Sequence, residues 1–178
     1  MLALTVWQPW ASLIVGSPTT DGCPGAPPQK NVENRDMRPW LSAIGKRIAI
    51  HAGLERRRNM ESYEDVFLDK SYGEVAAPYR TPADFPRGAV VGVALLAGVS
   101  GPMTPSMFYD TRFDGLPPEA VTSWQRSAGD LRWFTGPWGW VLCDQRWIRP
   151  VPCRGALGLW SLPAEVERDV CAQIASAA

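Results

Sequence analysis

Prolines and glycines recur along the whole chain and limit, more than any other feature, how it can fold. The 178 residues include 17 prolines and 16 glycines, together with nine tryptophans. Because proline interrupts helices and central strands, and glycine favours turns, this pattern predicts many short elements rather than long helices. With 46% hydrophobic residues the chain is large enough to bury its own core, so we expect one globular domain over residues 1–178.

Hydrophobic periodicity predicts about six short strands. Residues 46–53 (KRIAIHAG) alternate, with Ile48 and Ile50 on one face and His51 on the other. Residues 89–98 (AVVGVALLAG) are continuously apolar, which favours a central strand buried on both faces. Further strands are predicted at residues 2–6, 31–35 and 157–162, and a long or broken one within 139–155, interrupted at Pro150 and Pro152.

Three or four helices are predicted between and after these strands. One starts at Pro9 and stops at Gly16, and a terminal helix over residues 163–176 carries one apolar stripe. Two more are predicted, one capped by Asn59 and a short one opened by Pro118. Residues 17–29, rich in Pro and Gly, form a surface loop. Together these elements fit an α+β domain or a small barrel flanked by helices.

Composition and missing motifs exclude several function classes. Lysine plus arginine equals aspartate plus glutamate at 18 each, so nucleic-acid binding would have to come from a local patch. Four cysteines without a C-x-x-C pair and a single histidine predict no structural metal, and no dinucleotide, P-loop, hydrolase-elbow or zinc-protease motif is present, so no cofactor is expected. We expect a cytoplasmic protein, since no stretch resembles a signal peptide or a membrane span.

Residues 29–36, QKNVENRD, concentrate charge in a predicted strand. Glu33 and Arg35 share a face about 6.5 to 7 Å apart, within reach of an ion pair, whereas Lys30 lies at the loop junction. A lysine and a glutamate facing one cavity could act as an acid/base pair, with the arginine holding an anion. Spacing alone favours the alternative, an exposed strand with its charges in water.

Other residues are candidates for ligand binding, each with a structural alternative. His51 could bond a base or phosphate or lie on a solvated strand face. Gln8 could read a base edge or be a buried structural amide, and Trp10 lies on the apolar face of the first helix. Trp138 and Trp140 flank Gly139 and point to one side of a strand, where they could stack on bases or pack in the core.

The order of these pieces resembles the ASCH domain, a branch of the PUA-like superfamily. The resemblance rests on LTVWQPWASLIV (4–15), the K-x-x-E-x-R positions Lys30, Glu33 and Arg35, GKRIAIHAG (45–53), FPRGAVVGVALL (85–96) and GPWGWVLCDQRWIRPVPCRGALGLWSLP (136–163). It covers most of the chain, from Leu4 to about Leu162, and the loop at residues 17–29 departs from it by being longer. The resemblance implies a β-barrel of five to six mostly antiparallel strands with helices around it, and a cleft lined by the motif.

The same resemblance implies binding of RNA or of a nucleotide or nucleoside. Some small bacterial members deacetylate acetylated cytidine with a lysine, a threonine three residues later and a distant glutamate, and others are described as ribonucleases. The lysine corresponds to Lys30, but Glu33 occupies the threonine position and no residue here can be assigned to the distant glutamate. We therefore prefer a binding module, with a hydrolase using Lys30 and Glu33 as the alternative and a protein-interaction module as a third. A monomer is the default expectation for the oligomeric state.

Overall fold

The protein is described by a computed structural model over residues 1–18, 25–54, 84–100, 133–134 and 137–176. These residues form six strands, two α-helices and a short 3₁₀ turn at Leu41–Ala43. In chain order the elements are β1 (Leu2–Val6), α1 (Trp10–Val15), β2 (Val32–Arg35), β3 (Arg47–Ala52), β4 (Ala89–Ser100), β5 (Trp138–Pro152), β6 (Leu159–Ser161) and α2 (Ala164–Ser176). The helices predicted after Asn59 and at Pro118 lie outside the described residues.

The six strands form one mixed sheet. Their order is β2-β5-β4-β3-β1-β6, and every neighbouring pair is antiparallel except β1 with β3. The predicted α+β class, a small and mostly antiparallel sheet with flanking helices, is therefore confirmed. A parallel pair needs a crossover connection, and for β1 and β3 the chain makes it through α1 and β2.

The sheet packs on both faces. Alternate residues of the central strands contribute to separate apolar clusters, with Ile48 and Ile50 of β3 on the face that meets α1 and Ala49 on the opposite face. The face opposite α1 is covered by Val166 and Val170 of α2. Burial on both sides is why β4 reads as a continuously apolar strand rather than an alternating one.

A glycine in β4 allows α1 to lie close to the sheet. A Cβ at Gly92 would lie 2.5 Å from the Cγ1 of Val15 and 2.5 Å from the backbone oxygen of Arg146. Only a residue without a side chain fits this crossing. The glycine that interrupts the apolar run in the sequence thus marks where the helix contacts the strand.

β5 runs as one strand of 15 residues, so the predicted interruption at Pro150 is not present. Both prolines lie among its last three residues. There the loss of a backbone N–H from the hydrogen bonding of the sheet costs least. Irregularity occurs instead along the pairing with β4, where the register shifts three times, and Asp144 has a positive φ of 45°. These bulges bend the long strand without breaking it.

The sheet curls until its distant parts meet. β5, β4 and β3 lie between β2 and β1 in the sheet order, yet the Nη2 atom of Arg35 in β2 donates to the backbone oxygen of Thr5 in β1 at 2.5 Å. A flat sheet would hold these strands four spacings of about 4.8 Å apart. The curl therefore brings β2 over β1 and leaves a cleft along their contact.

Candidate functional site

Backbone hydrogen bonds fix the position of Lys30 independently of its side chain. Its backbone N–H and that of Gln29 both donate to the oxygen of Leu13 in α1, at 2.9 Å each, and its own oxygen accepts from the Nε2 of Gln145 at 2.8 Å. The end of α1 thereby holds the start of the motif. This anchoring explains how a lysine after a Pro- and Gly-rich loop acquires a defined direction.

The three motif residues meet through Glu33. The Nζ of Lys30 donates to Glu33 Oε2 at 2.5 Å and to the oxygen of Val32 at 2.6 Å. The Nη2 of Arg35 lies 3.2 Å from Glu33 Oε1, which agrees with the same-face arrangement predicted for β2. Lys30 is 4% exposed and Glu33 9%, so their charges are buried rather than solvated. The solvated-strand alternative does not describe this segment.

Burial changes the acid–base behaviour of Lys30. Removal from water lowers the pKa of its ammonium group below the usual 10.5, and the nearby Arg35 charge lowers it further. The charge of Glu33 and its hydrogen bond act in the opposite direction without cancelling the effect of burial. Lys30 therefore loses its proton more readily than a surface lysine.

A cleft of about 720 Å³ opens beside this cluster. The motif residues Lys30, Glu33 and Arg35 contribute its charged part, and a further carboxylate comes from Asp36. The β5–β6 loop forms the opposite edge. The remaining described residues that line the cleft are Thr5, Val6, Trp7, Trp10, Asn34, Trp133, Ala156, Leu157 and Gly158.

Three tryptophans among the described residues line the cleft. Trp10 and Trp133 meet edge to face, with ring centroids 6.1 Å apart and an interplanar angle of 74°. The Nε1 of Trp133 donates to the oxygen of Gln29 at 2.8 Å, which fixes that ring beside the motif. Trp7 is 41% exposed, which is unusual for so large a ring. The cleft thus combines flat apolar surfaces with a buried group of charges.

Several residues of the cleft were not singled out from the sequence. Trp7 and Trp133 carry no local pattern that separates them from core tryptophans, and Leu157 becomes notable only because it is 98% exposed at the edge of the cleft. Asp36 follows the motif directly, and its adjacency to Arg35 was the one available signal. The others come together through the curl of the sheet, which a linear pattern does not encode.

Gln8 lies beneath the site instead of in it. It is buried, its Oε1 accepts from the backbone N–H of Ser12 at 3.1 Å, and its Nε2 donates to the oxygen of Pro86 at 2.9 Å. The first contact satisfies a free N–H in the first turn of α1, whose cap position is held by Pro9. Both ends of the amide are therefore occupied by the backbone, and Gln8 is not among the described residues that line the cleft.

His51 lies behind the cleft. It is 1% exposed, its Nε2 lies 3.1 Å from the oxygen of Cys153, and its ring meets Trp160 edge to face at 5.6 Å. Its Nδ1 has no hydrogen-bond partner among the described residues. Burial lowers the pKa of the imidazole, and the bond to Cys153 opposes this only in part. The structure places His51 under the β5–β6 loop, outside the lining of the cleft.

Trp138 and Trp140 also lie away from the described lining of the cleft. Trp140 is buried in the core beside α1, and its Nε1 donates to the oxygen of Met37 at 2.9 Å. The guanidinium carbon of Arg38 lies 5.8 Å from the ring centroid of Trp138. The aromatic surfaces of the cleft are therefore supplied by other tryptophans than those that the strand pattern indicated.

No group of three or more His, Cys, Asp or Glu side chains in the described ranges could hold a metal ion. No helix in those ranges combines the length and apolar character needed to cross a bilayer.

A comparison with solved structures returns ASCH structures from Zymomonas mobilis. A crystal structure of that protein is 19% identical and aligns with 96% of this chain and 93% of its own, with a TM-score of 0.45. A tyrosine-to-phenylalanine mutant of the same protein gives 19% identity, 96% of each chain and a TM-score of 0.45. These structures are named ASCH, and ASCH is the family that the sequence motifs resemble. No protein-family model matches the chain, and no curated protein does.

Proposed function

We propose that the cleft binds RNA or a nucleotide or nucleoside, with a base held against its tryptophans. The observation that carries the proposal is the buried Lys30–Glu33–Arg35 cluster opening onto a space lined by three tryptophans. A volume of about 720 Å³ falls within the range of about 300–1,000 Å³ typical of small-molecule sites. Stacking of one base on an aromatic ring contributes about 1–3 kcal/mol.

The charged cluster supplies hydrogen-bonding groups that can identify a base. Each carboxylate oxygen has two lone pairs, so Glu33 can accept from an exocyclic amine while it keeps its bonds to Lys30 and Arg35. Lys30 uses two of its three N–H groups for bonds to described residues, which leaves one for a carbonyl oxygen. A base with an amine next to a carbonyl would match this pair.

A second candidate function is hydrolysis of a modified nucleoside or of RNA. The observation that favours it is the lowered pKa of Lys30, 2.5 Å from a carboxylate. A lysine of this kind can activate water as a general base, and Glu33 can carry the proton to the leaving group. Glu33 in place of the threonine of the deacetylating relatives argues for binding as the first choice.

The binding proposal is tested by titrating the protein with cytidine, N4-acetylcytidine and a single-stranded RNA oligonucleotide while tryptophan fluorescence is recorded. Trp7→Ala should weaken binding by about 5- to 150-fold, the equivalent of one lost stacking contact. Trp40→Ala is the matched control, since Trp40 is 56% exposed and is not among the described residues that line the cleft. If none of the three compounds changes the fluorescence or binds by calorimetry, the proposal is wrong.

The same samples decide between binding and turnover. Release of acetate from N4-acetylcytidine, or cleavage of the oligonucleotide, that disappears in Lys30→Ala would establish the hydrolase. Binding without product over a long incubation supports the binding module.

A further inference from the structure

The charges that line the described part of the cleft cancel. Lys30 and Arg35 are positive, and Glu33 and Asp36 are negative. A site built to attract a phosphate dianion ordinarily presents an excess of positive charge. A net charge of zero among the described lining residues indicates a preference for an uncharged ligand over a phosphate.

Both cations are already engaged within the protein. Lys30 donates to Glu33 and to the oxygen of Val32, and it is almost fully buried. Arg35 uses its Nη2 for Glu33 and for the oxygen of Thr5. Lys30 has one N–H left and the Nε of Arg35 has no partner within the described residues, but both cations lie beside the Glu33 carboxylate, whose negative charge opposes a second anion there. Glu33 thus offsets one of the two positive charges where a phosphate would need them.

Among the charged residues that line the described part of the cleft, Asp36 differs from the other three because its carboxylate is not part of their ion-paired cluster. It follows the last residue of β2, it is exposed, and no hydrogen bond or ion pair joins it to another residue within the described ranges. An ionised carboxylate repels a phosphate but accepts hydrogen bonds from hydroxyl and amino groups. The free hydroxyls of a ribose are donors of this kind.

We propose that Asp36 makes the cleft select uncharged nucleosides over their 5′-phosphorylated forms. The inference rests on the proposed function, and it adds both a substrate class and a specificity-determining residue. Asp36 accepts from the sugar hydroxyls or a base amine of the nucleoside, and its charge excludes the phosphate group. Among RNA-derived compounds, the cleft then takes free nucleosides in preference to nucleotides or a phosphodiester strand.

The experiment compares the four ribonucleosides with their 5′-monophosphates by calorimetry, on the wild type and on Asp36→Asn. The wild type should bind a nucleoside about tenfold or more tightly than its monophosphate at low salt, and 0.5 M NaCl should reduce this ratio by screening. Asp36→Asn should reduce the ratio to about threefold or less. Asp169→Asn, an exposed change of the same charge on α2, should leave the wild-type ratio unchanged.

The possible failures are distinguishable. A wild type that binds monophosphates as tightly as nucleosides, or an Asp36→Asn variant with the wild-type ratio, overturns the role of Asp36 while nucleotide binding stands. If neither compound class nor the RNA oligonucleotide binds the wild type, the proposed function fails and this inference fails with it.

Discussion

Glu33 is the residue on which the electrostatics of the cluster depend. It is the common partner of Lys30 and Arg35, one cation on each carboxylate oxygen, and it is itself largely buried. Two buried or half-buried cations without this carboxylate would repel each other and lack a counter-charge. Lys30 is less critical, because Glu33 keeps Arg35 as a partner when the lysine is absent.

This asymmetry predicts different costs for two substitutions. Glu33→Gln should lower the free energy of unfolding by about 3 kcal/mol, because it leaves the Lys30 ammonium buried without its counter-ion. Lys30→Met should cost less than about 1 kcal/mol, because it removes a charge whose burial is unfavourable and keeps most of the volume. Urea denaturation at neutral pH measures both, with the exposed Glu165→Gln as control. Equal losses for the two variants would show that the pair is not organised around Glu33.

At the scale of elements, the β5–β6 loop, residues 153–158, joins the buried histidine to the edge of the cleft. A Cβ at Gly155 would overlap the imidazole of His51, so the loop lies directly on the ring. Further along, Ala156, Leu157 and Gly158 line the cleft. A protonated His51 would place a second N–H at Nδ1, where no described residue accepts it. The position of the loop therefore favours the neutral ring.

The wild-type protein should lose stability as the pH falls below 6.5. The pKa of His51 is lowered in the folded state, so between that pKa and 6.5 the unfolded chain binds more protons and unfolding becomes easier. The contribution of His51 to the slope in that window approaches, but does not exceed, about 1.4 kcal/mol per pH unit. Urea midpoints measured at pH 7.5, 6.5 and 5.5 test this.

His51→Leu provides the control for this pH dependence. His51 is the single histidine of the 178 residues, so the variant contains no imidazole and its stability should fall less steeply than that of the wild type between pH 7.5 and 5.5. A slope equal to that of the wild type would assign the effect to other groups and contradict the lowered pKa of His51.

The elements that could be predicted from the sequence are those whose own periodicity defines them. Ile48 and Ile50 alternate with Ala49 in β3, and the apolar stripe of α2 repeats every four residues, so both were placed correctly. Prolines misled the prediction for β5, because Pro150 is harmless near the end of a strand. For the site, the shared face of Glu33 and Arg35 followed from strand geometry. The direction of Lys30 did not, because it depends on hydrogen bonds to α1 and to Gln145.

At the scale of the whole molecule, the cleft exists because the sheet curls. β2 and β1 are separated by three strands in the sheet order, and the contact between Arg35 and Thr5 joins them. We call this line of contact between β2 and β1 the seam. Trp7 follows β1, and Asp36 follows β2, so the two sides of the cleft belong to distant parts of the sheet. Residue patterns within one strand could not reveal which tryptophans would meet at this seam.

Arg35→Lys tests whether this contact holds the seam. The Nη2 of Arg35 reaches both Glu33 and the oxygen of Thr5, whereas the shorter lysine cannot make both contacts from the same backbone position. The variant keeps the charge but leaves one acceptor unpaired, which should lower the free energy of unfolding by about 1–3 kcal/mol. Urea denaturation measures this loss, and Arg149→Lys, an exposed position on β5, should stay within about 0.5 kcal/mol of the wild type.

The same variant separates stability from the shape of the cleft. If the seam opens, Arg35→Lys should also weaken nucleoside binding at a temperature where the protein is fully folded, because Trp7 and the motif would no longer face one another at the wild-type distance. A variant that loses stability but binds as tightly as the wild type would show that Thr5 is only one of several contacts across the seam. Unchanged stability together with unchanged binding would contradict the role of Arg35 in closing the sheet, and the curl would then have to arise from the bulges along β4 and β5.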